Sequence, residues 1–279
     1  MEDLVKISNL DFGYKKGQLL FNNLSLNVSR GHIYGLFGKN GTGKTSLLKQ
    51  ITGLLFPQGG SCHIYDKPAK ERLPSVLQNL FVIPEEFVLP AIRIKEYEEV
   101  HAGFYPGYNP KEFENHLHEF GIERNDNLGK LSYGQRKKFL ISFGLATNVP
   151  LLLMDEPTNG LDIPSKSQFR KIMAGNISDE QAVFISTHQV RDLASLIDKV
   201  IILENGKIIF NENIREISDK LSFSKAKEVP ADTLYSEEAF GGYHVIRPID
   251  QEETETDLEL LFNGVLQNPE TINQIFKNS

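Results

Sequence analysis

The sequence predicts an α/β fold built around a buried, mainly parallel sheet. Two runs, LLLMD (151–155) and AVFIST (182–187), are nearly all apolar, which is typical of strands covered on both faces. A third run, IYGLF, leads into the glycine-rich stretch GKNGTGKT and then into SLLKQITGLL, whose apolar residues recur with a helical period. The order strand, glycine loop, helix is a supersecondary unit of α/β folds.

The remaining elements follow from local patterns. The segments LVKI, LSLNV and HIYGLF are short apolar runs separated by Gly, Asn and Ser, which predicts strands joined by turns. GGSCHIYD predicts a further strand, and LFVIP predicts one that ends at Pro84. VIILENGKIIF predicts a hairpin, since two apolar runs flank Asn205-Gly206.

Residues from about 85 to 148 are richer in helical, aromatic and charged patterns than their surroundings. IKEYEEVHAGFY and PKEFENHLHEFGI predict two helices. Ser132 is a predicted N-cap of a third helix, in which Phe139 and Phe143 share one face. The neighbouring Lys137 and Lys138 are interpreted as part of a solvated face.

Composition limits the classes of function. The 279 residues carry a net charge of -7, which disfavours a nucleic-acid partner. The single cysteine, Cys62, cannot form an internal disulfide, so a reducing cytosol is expected. The N-terminal MEDLVKISN lacks the apolar core of a signal peptide, and no apolar run reaches the roughly 18 residues of a spanning helix.

The stretch GKNGTGKT matches the pattern G-x-x-x-x-G-K-[ST] in full and predicts a phosphate loop over residues 38–45. Its glycines allow backbone N–H groups to close around phosphate oxygens. Lys44 is expected to reach the β- and γ-phosphates, Thr45 to place its hydroxyl on Mg²⁺, and the following helix to offer its positive N-terminal end. The expected nucleotide contacts are Gly38, Lys39, Asn40, Gly41, Thr42, Gly43, Lys44, Thr45 and Ser46.

The second chemical signal is LLLMDEPTNGLD, in which an apolar strand delivers Asp155 and Glu156 at its C-terminal end. Ligands bind at this edge in open α/β sheets. Asp155 is predicted to hold Mg²⁺, and Glu156 to orient or deprotonate the attacking water. Taken alone, both side chains fit solvated strand-end carboxylates better, since strand ends often carry acids, and it is the phosphate loop that favours the catalytic interpretation.

GKNGTGKT, LSYGQ, LLLMDEPTNGLD and ISTHQ together resemble the ATP-binding cassette (ABC) ATPases in order and spacing, over about residues 4 to 219. The resemblance implies a P-loop NTPase core with a mainly parallel sheet flanked by helices, an N-terminal antiparallel β-subdomain and an inserted helical subdomain at about 85–148. The nucleotide-binding domain is then expected over 1–219, with a C-terminal extension of unknown role over 220–279. The acidic part of that extension, at 252–259, is either ordered or partly disordered.

The resemblance also implies roles for single residues. Glu156 is similar to the catalytic base, His188 to the switch histidine at the γ-phosphate, Asp162 to the acid of the D-loop, and Tyr14 to the aromatic residue that stacks on adenine. Each has a structural alternative: His188 fits a core histidine, Tyr14 a surface turn, and Asp162 a helix N-cap, because proline follows it closely.

The segment LSYGQ (131–135), called here the signature segment, resembles the family motif that closes on ATP held by another copy. Ser132, Gly134 and Gln135 are the expected contacts, whereas Tyr133 stands where the family usually has glycine. The family's Mg²⁺-binding glutamine is also replaced: VIPEEF places Glu85 after the strand, with Glu86 as a second candidate. A glutamate can still coordinate Mg²⁺ through oxygen.

The resemblance therefore implies an Mg²⁺-dependent ATPase that powers a membrane transporter, of exporter type, as the nucleotide-binding subunit. The expected partners are a second copy of the chain, in an ATP-dependent dimer, and a separate integral membrane subunit, with no nucleic acid. The chain would lie in the cytoplasm, on the inner face of the cell membrane. The alternative is a soluble ABC ATPase of assembly or regulation that does not transport.

Overall fold

The structure is a computed structural model, and it describes residues 3–249 and 254–277. The strands are β1 (Asp3–Phe12), β2 (Phe21–Ser29), β3 (His32–Phe37), β4 (Gly59–Ile64), β5 (Lys67–Pro68), β6 (Leu80–Ile83), β7 (Leu151–Asp155), β8 (Ala182–Thr187), β9 (Lys199–Glu204), β10 (Lys207–Asn213), β11 (Leu221–Ala226), β12 (Tyr235–Ala239) and β13 (Gly242–Pro248). The α-helices are α1 (Lys44–Ile51), α2 (Pro74–Leu77), α3 (Ile94–His101), α4 (Pro110–Glu119), α5 (Tyr133–Ala146), α6 (Ile163–Asn176), α7 (Ile214–Lys220), α8 (Leu258–Gln267) and α9 (Pro269–Lys277).

The central sheet has six strands in the order β10-β9-β3-β8-β7-β6. All of its neighbours pair in parallel except the β9–β10 hairpin, whose turn uses Asn205 and Gly206 at positive φ, as its sequence predicted. A separate antiparallel sheet has the order β2-β1-β4-β5. The α/β fold with an N-terminal antiparallel sheet is confirmed.

Along each central strand, alternate side chains point to opposite faces of the sheet and pack into two different cores. In β3, Ile33 and Phe37 face one core, which also contains buried residues of α3 to α6 and of the C-terminal elements. Tyr34 and Leu36 face the other, which contains α1 and the antiparallel sheet. The central sheet is therefore buried on both faces, which is the physical reason why its strands are so uniformly apolar.

The C-terminal elements include a third sheet, in the order β11-β13-β12, followed by α8 and α9. Of the acidic stretch 252–259, Glu252 and Glu253 lie outside the described residues, the segment 254–257 is irregular, and α8 begins at Leu258. In the two described ranges of the chain, we find no helix with the length and apolar character needed to span a bilayer.

Candidate nucleotide site

A cavity of about 670 Å³ opens at the edge of the central sheet where β7 and β8 end, above the N-terminus of α1. This is the carboxyl edge at which open α/β sheets bind their ligands. Most of its lining was predicted as nucleotide-binding or catalytic. The lining residues are Tyr14, Leu20, Asn40, Gly41, Gly43, Lys44, Thr45, Ser46, Glu85, Glu156, Asn159 and His188.

The phosphate loop adopts a conformation that needs its glycines. Gly41 and Gly43 have φ of 83° and 108°, a region in which side chains with a Cβ are strained. A Cβ on Gly43 would also lie 2.7 Å from the Phe21 ring, and one on Gly38 would lie 2.7 Å from the Leu203 carbonyl oxygen. The loop is thus fixed both by its own backbone and by close packing beneath it.

Lys44 is buried at the start of α1, and its ammonium is held by the loop itself. Its Nζ donates to the carbonyl oxygens of Gly38 at 2.8 Å and Lys39 at 3.2 Å, and lies 3.8 Å from the Glu156 carboxylate. Burial lowers the pKa of Lys44, although the carboxylates of Glu156, Asp155 and Glu85 oppose this shift. These contacts place the charge of Lys44 in the cavity wall.

Thr45 and Asp155, which are 110 residues apart in sequence, meet at the base of the cavity. The Thr45 hydroxyl donates to Asp155 Oδ2 at 2.7 Å, and the Ser186 hydroxyl donates to Asp155 Oδ1. Hydroxyl and carboxylate oxygens suit Mg²⁺, which usually keeps several ligands from water and phosphate. In the described ranges, no group of three or more His, Cys, Asp or Glu side chains is arranged so that it could hold a metal ion by itself.

Glu156 is a buried carboxylate whose orientation is fixed on both oxygens. Thr187 Oγ1 donates to Glu156 Oε2 at 3.1 Å, and His188 Nδ1 lies 2.8 Å from Oε1. The backbone of Glu156 has φ of 46°, a left-handed conformation that is uncommon for a residue with a side chain and that tends to occur at functional sites. The predicted base and the predicted switch histidine are therefore in direct contact.

Tyr14 stands at the outer end of the cavity with 64% of its surface exposed. Its ring packs edge-on against Phe12, with centroids 5.0 Å apart, and its hydroxyl lies 2.8 Å from Ser46 Oγ. The Phe12 contact and the hydroxyl contact hold the ring in place, and an exposed aromatic ring of this kind offers a surface on which a flat base can stack.

Glu85 lines the cavity from the loop that follows β6, called here the lip loop (residues 84–89). Its Oε1 accepts a hydrogen bond from Asn159 Nδ2 at 3.0 Å. Sequence reasoning did not identify Asn159 or Leu20 as lining residues. Asn159 lies within LLLMDEPTNGLD, only three residues after Glu156, and this position could have indicated that it lines the cavity. Nothing in the local sequence indicates the same for Leu20.

The signature segment does not line this cavity. Ser132 caps α5 as predicted: its Oγ accepts from Gln135 N at 3.3 Å, and Gln135 Oε1 accepts from Ser132 N at 3.0 Å. Asp162 likewise caps α6, since its Oδ1 accepts from Ser165 N at 2.9 Å. Both capping residues are exposed.

The interpretation of Lys137 as solvated is wrong, because its side chain is fully buried. Its Nζ lies 3.4 Å from the carbonyl oxygens of Pro84 and Glu85 and over the rings of Phe87 and Tyr133. The error came from treating α5 as amphipathic, whereas α5 is buried around most of its circumference from Phe139 onward. The face opposite Phe139 and Phe143 therefore meets the lip loop, not solvent.

The chain is similar in sequence to known ATP-binding proteins of transporters. A family model described as ABC transporter matches residues 21–159. The SkfA peptide export ATP-binding protein SkfE of Bacillus subtilis is 30% identical over 228 residues, covering 80% of this chain and 94% of that protein. The phosphonates import ATP-binding protein PhnC of Fusobacterium nucleatum is 27% identical over 241 residues, covering 78% and 96% respectively.

Solved structures show the same fold. An ATP-binding subunit of an ABC transporter superposes with a TM-score of 0.67 at 26% identity, covering 77% of this chain and 91% of that one. A dimeric, post-hydrolysis ATP-binding cassette bound to ADP and Pi superposes with a TM-score of 0.65 at 25% identity, covering 75% and 98%.

Proposed function

This chain belongs to the ABC transporter family of ATPases, and we propose that it works as the ATP-binding and hydrolysing subunit of a transporter whose membrane-spanning part is a separate protein. The observation that carries the proposal is that Lys44, Thr45, Glu156 and His188 line one cavity. Asp155 accepts a hydrogen bond from Thr45 directly behind this lining. Each of these groups has a matching task on a bound triphosphate.

The phosphate loop would hold the triphosphate through its backbone N–H groups and through Lys44. Thr45 and Asp155, with Glu85 at the cavity rim, would hold Mg²⁺ together with phosphate oxygens and water. The bound ion would neutralise charge that develops on the phosphates during transfer. Tyr14 would stack on adenine and fix the outer end of the nucleotide.

Glu156 is proposed as the base that orients and deprotonates the attacking water. Thr187 and His188 hold its carboxylate, which lowers the reorganisation needed for proton transfer. An ionised carboxylate only accepts hydrogen bonds, so the proton between the pair belongs to His188 Nδ1.

The second half of the site would come from another copy of the chain. Ser132, Gly134 and Gln135 do not line the cavity, and they lie at the N-terminus of α5, which offers hydroxyl and backbone N–H donors. We propose that these donors, with Asp162, close on ATP held by the partner copy. Closure would bring the helical segments 85–148 of both copies together and move the membrane subunit.

Export is the proposed direction of transport, and the inner face of the cell membrane is the proposed location. The peptide-export relative is 30% identical to this chain and the phosphonate-import relative 27%. The sequence identity therefore supports export over import by a small margin.

The catalytic proposal is tested with Glu156→Gln. This variant keeps the size of the side chain and removes its basicity, so it is expected to bind ATP within about threefold of wild type and to lose at least about 100-fold in kcat. Hydrolysis and equilibrium ATP binding are measured side by side. Lys44→Ala serves as the matched comparison, because it is expected to lose ATP binding as well as turnover. Near wild-type hydrolysis by Glu156→Gln would remove Glu156 from the role of base.

The transport proposal is tested by purification of the chain from membranes of its own cells. We expect it to co-purify with a polytopic membrane protein in a complex that survives high salt, because the contact would bury apolar surface. A chain found only in the soluble fraction, with intact ATPase activity and no membrane partner, would instead indicate a non-transport ABC ATPase.

A further inference from the structure

We propose that Tyr133 and Lys137 are positioning residues that clamp the lip loop onto the N-terminus of α5. Because of this clamp, the nucleotide cavity and the signature segment of the same copy would move as one unit. The inference rests on the proposed function, because it concerns how ATP binding in the cavity changes the position of the signature segment, which would contact a second copy.

Tyr133 turns back from the signature segment toward the lip loop. Its hydroxyl donates to the Glu85 carbonyl oxygen at 2.5 Å, and its ring stacks on Phe87 with centroids 5.3 Å apart and planes 22° apart. It remains 39% exposed, so burial alone does not hold it there. The ring is directed by specific contacts, a hydrogen bond and a stacked partner.

Lys137 lies one helical turn after Tyr133, on the same side of α5. Its ammonium reaches the same Glu85 carbonyl oxygen and the neighbouring Pro84 carbonyl oxygen, and it lies 5.8 Å from the Phe87 ring centroid and 5.9 Å from that of Tyr133. A fully buried ammonium is costly unless carbonyl oxygens, rings and anions surround it. Glu85, Asp155 and Glu156 supply the nearby negative charge.

The segment gripped in this way also faces the nucleotide cavity. The Glu85 backbone is held by Tyr133 and Lys137, while the Glu85 side chain lines the cavity and accepts from Asn159. The Tyr133 ring also covers Gly160, where an added Cβ would come within 2.8 Å of the ring. The lip loop, the start of α5 and the segment 159–160 are thus joined at one point.

This arrangement has a mechanical consequence. A ligand that repositions Glu85 or Asn159 must also displace Tyr133 and Lys137, because packed interiors shift as units and deform little. Ser132 and Gly134 flank Tyr133, so their positions would follow. Removing the clamp should leave ATP binding in the cavity intact, but the signature segment should no longer respond to that binding.

The test compares Tyr133→Phe and Lys137→Met with Lys138→Met as the matched control. Tyr133→Phe keeps the stacked ring and removes only the hydroxyl, and Lys137→Met keeps an unbranched apolar stem and removes the charge. Lys138 is the adjacent lysine on α5, and its Nζ lies 5.7 Å from the centroid of the Phe120 ring, outside the clamp.

Hydrogen exchange is measured with and without Mg·ATP in a Glu156→Gln background, on peptides that cover residues 84–89 and 131–138. In the parent and in the Lys138→Met control, both segments are expected to gain protection together. In Tyr133→Phe and Lys137→Met, the lip loop should still respond, whereas the response of 131–138 should fall severalfold.

Steady-state hydrolysis, with Glu156 restored, supplies the second readout. The clamp predicts that kcat falls about 3- to 10-fold in Tyr133→Phe, as loss of about one hydrogen bond implies, with KM for ATP within about twofold. A raised KM with unchanged kcat would mean that these residues bind nucleotide directly, and would overturn the clamp. The clamp would also be overturned if the Tyr133→Phe and Lys137→Met variants kept both the joint protection of the two segments and the kcat of the protein without these substitutions.

These outcomes separate the clamp from the proposed function. If the wild-type chain neither binds nor hydrolyses ATP, the proposed function fails. If the wild type hydrolyses ATP but its lip loop and signature segment respond to ATP independently, only the clamp fails.

Discussion

Lys137 is a buried cation whose titration has a measurable effect on stability. Burial lowers the pKa of Lys137 to about 8, from an ordinary value of 10.5, because the ammonium loses its hydration. Between these two values the unfolded chain binds the extra proton and the folded chain does not. The free energy of unfolding therefore rises with pH across this window, and the contribution is lost as pH falls through 8.

The prediction compares wild type with Lys137→Met in urea unfolding at pH 7 and pH 9.5. Because methionine does not titrate, the difference between the two proteins isolates Lys137. We expect wild type to gain about 2 kcal/mol relative to the variant between these pH values. A difference that stays constant with pH would show that Lys137 keeps an ordinary pKa.

Other single residues were predictable from their immediate neighbours in sequence. Lys44, Thr45, Asp155 and Glu156 sit in motifs that define both the residue and its backbone context, and the structure brings all four to one cavity edge. Their individual chemical roles stay predictions until the variants are measured. The burial of Lys137 was not predictable in this way, because a lysine in a run of basic residues is usually solvated.

At the scale of elements, α5 shows where local rules hold and where they fail. Its start at Tyr133, its Ser132 cap and its buried Phe139 and Phe143 follow from the sequence. The number of sides on which a helix is buried does not, since it depends on what packs against each side. Here the lip loop packs against the side that the sequence pattern assigned to solvent.

The strands were predicted well for a related reason. Every residue of β7 and β8 is buried, and in each strand the residues before the polar C-terminal end are uninterruptedly apolar, which is visible in sequence. A mainly parallel central sheet was an expectation of the fold class, but the neighbours of each strand are set by long-range packing. β3, for example, pairs with β8 and β9, far along the chain.

At the scale of the whole molecule, the C-terminal elements share the core of the nucleotide-binding part. Residues of α8 and α9 belong to the same buried cluster as β3 and α5, and Phe262 packs edge-on against Phe37 with centroids 6.4 Å apart. α8 also contacts the short helical turn Val190–Asp192 that follows His188. A domain boundary at 219/220 stays a prediction, but it is not a break in packing.

This continuity leads to a prediction for Phe262→Ala. We expect it to lower the free energy of unfolding by about 1–3 kcal/mol, as loss of a partly buried aromatic side chain does, while unfolding remains a single transition. Urea unfolding followed by fluorescence and by circular dichroism measures both properties. The exposed Phe240→Ala is the matched control and should change stability little. Two separate transitions would indicate that the extension folds independently.

The sequence alone determined the elements whose chemistry is local. An eight-residue loop with three glycines, or a buried strand that ends in two carboxylates, carries its geometry in its own backbone preferences. The four motifs placed along the chain then identified the family and most of the residues that line the cavity.

Only the tertiary structure decided which distant groups meet. Thr45 hydrogen-bonds to Asp155, which is 110 positions away in sequence. The side chains of Glu85 and Asn159 bond over 74 positions, and Tyr133 bonds to the Glu85 backbone over 48. These contacts, and the burial of Lys137 with them, arise from how the lip loop and α5 pack together. The physical reason is that burial and hydrogen bonding depend on the shape of the surrounding interior, which no short stretch of sequence encodes by itself.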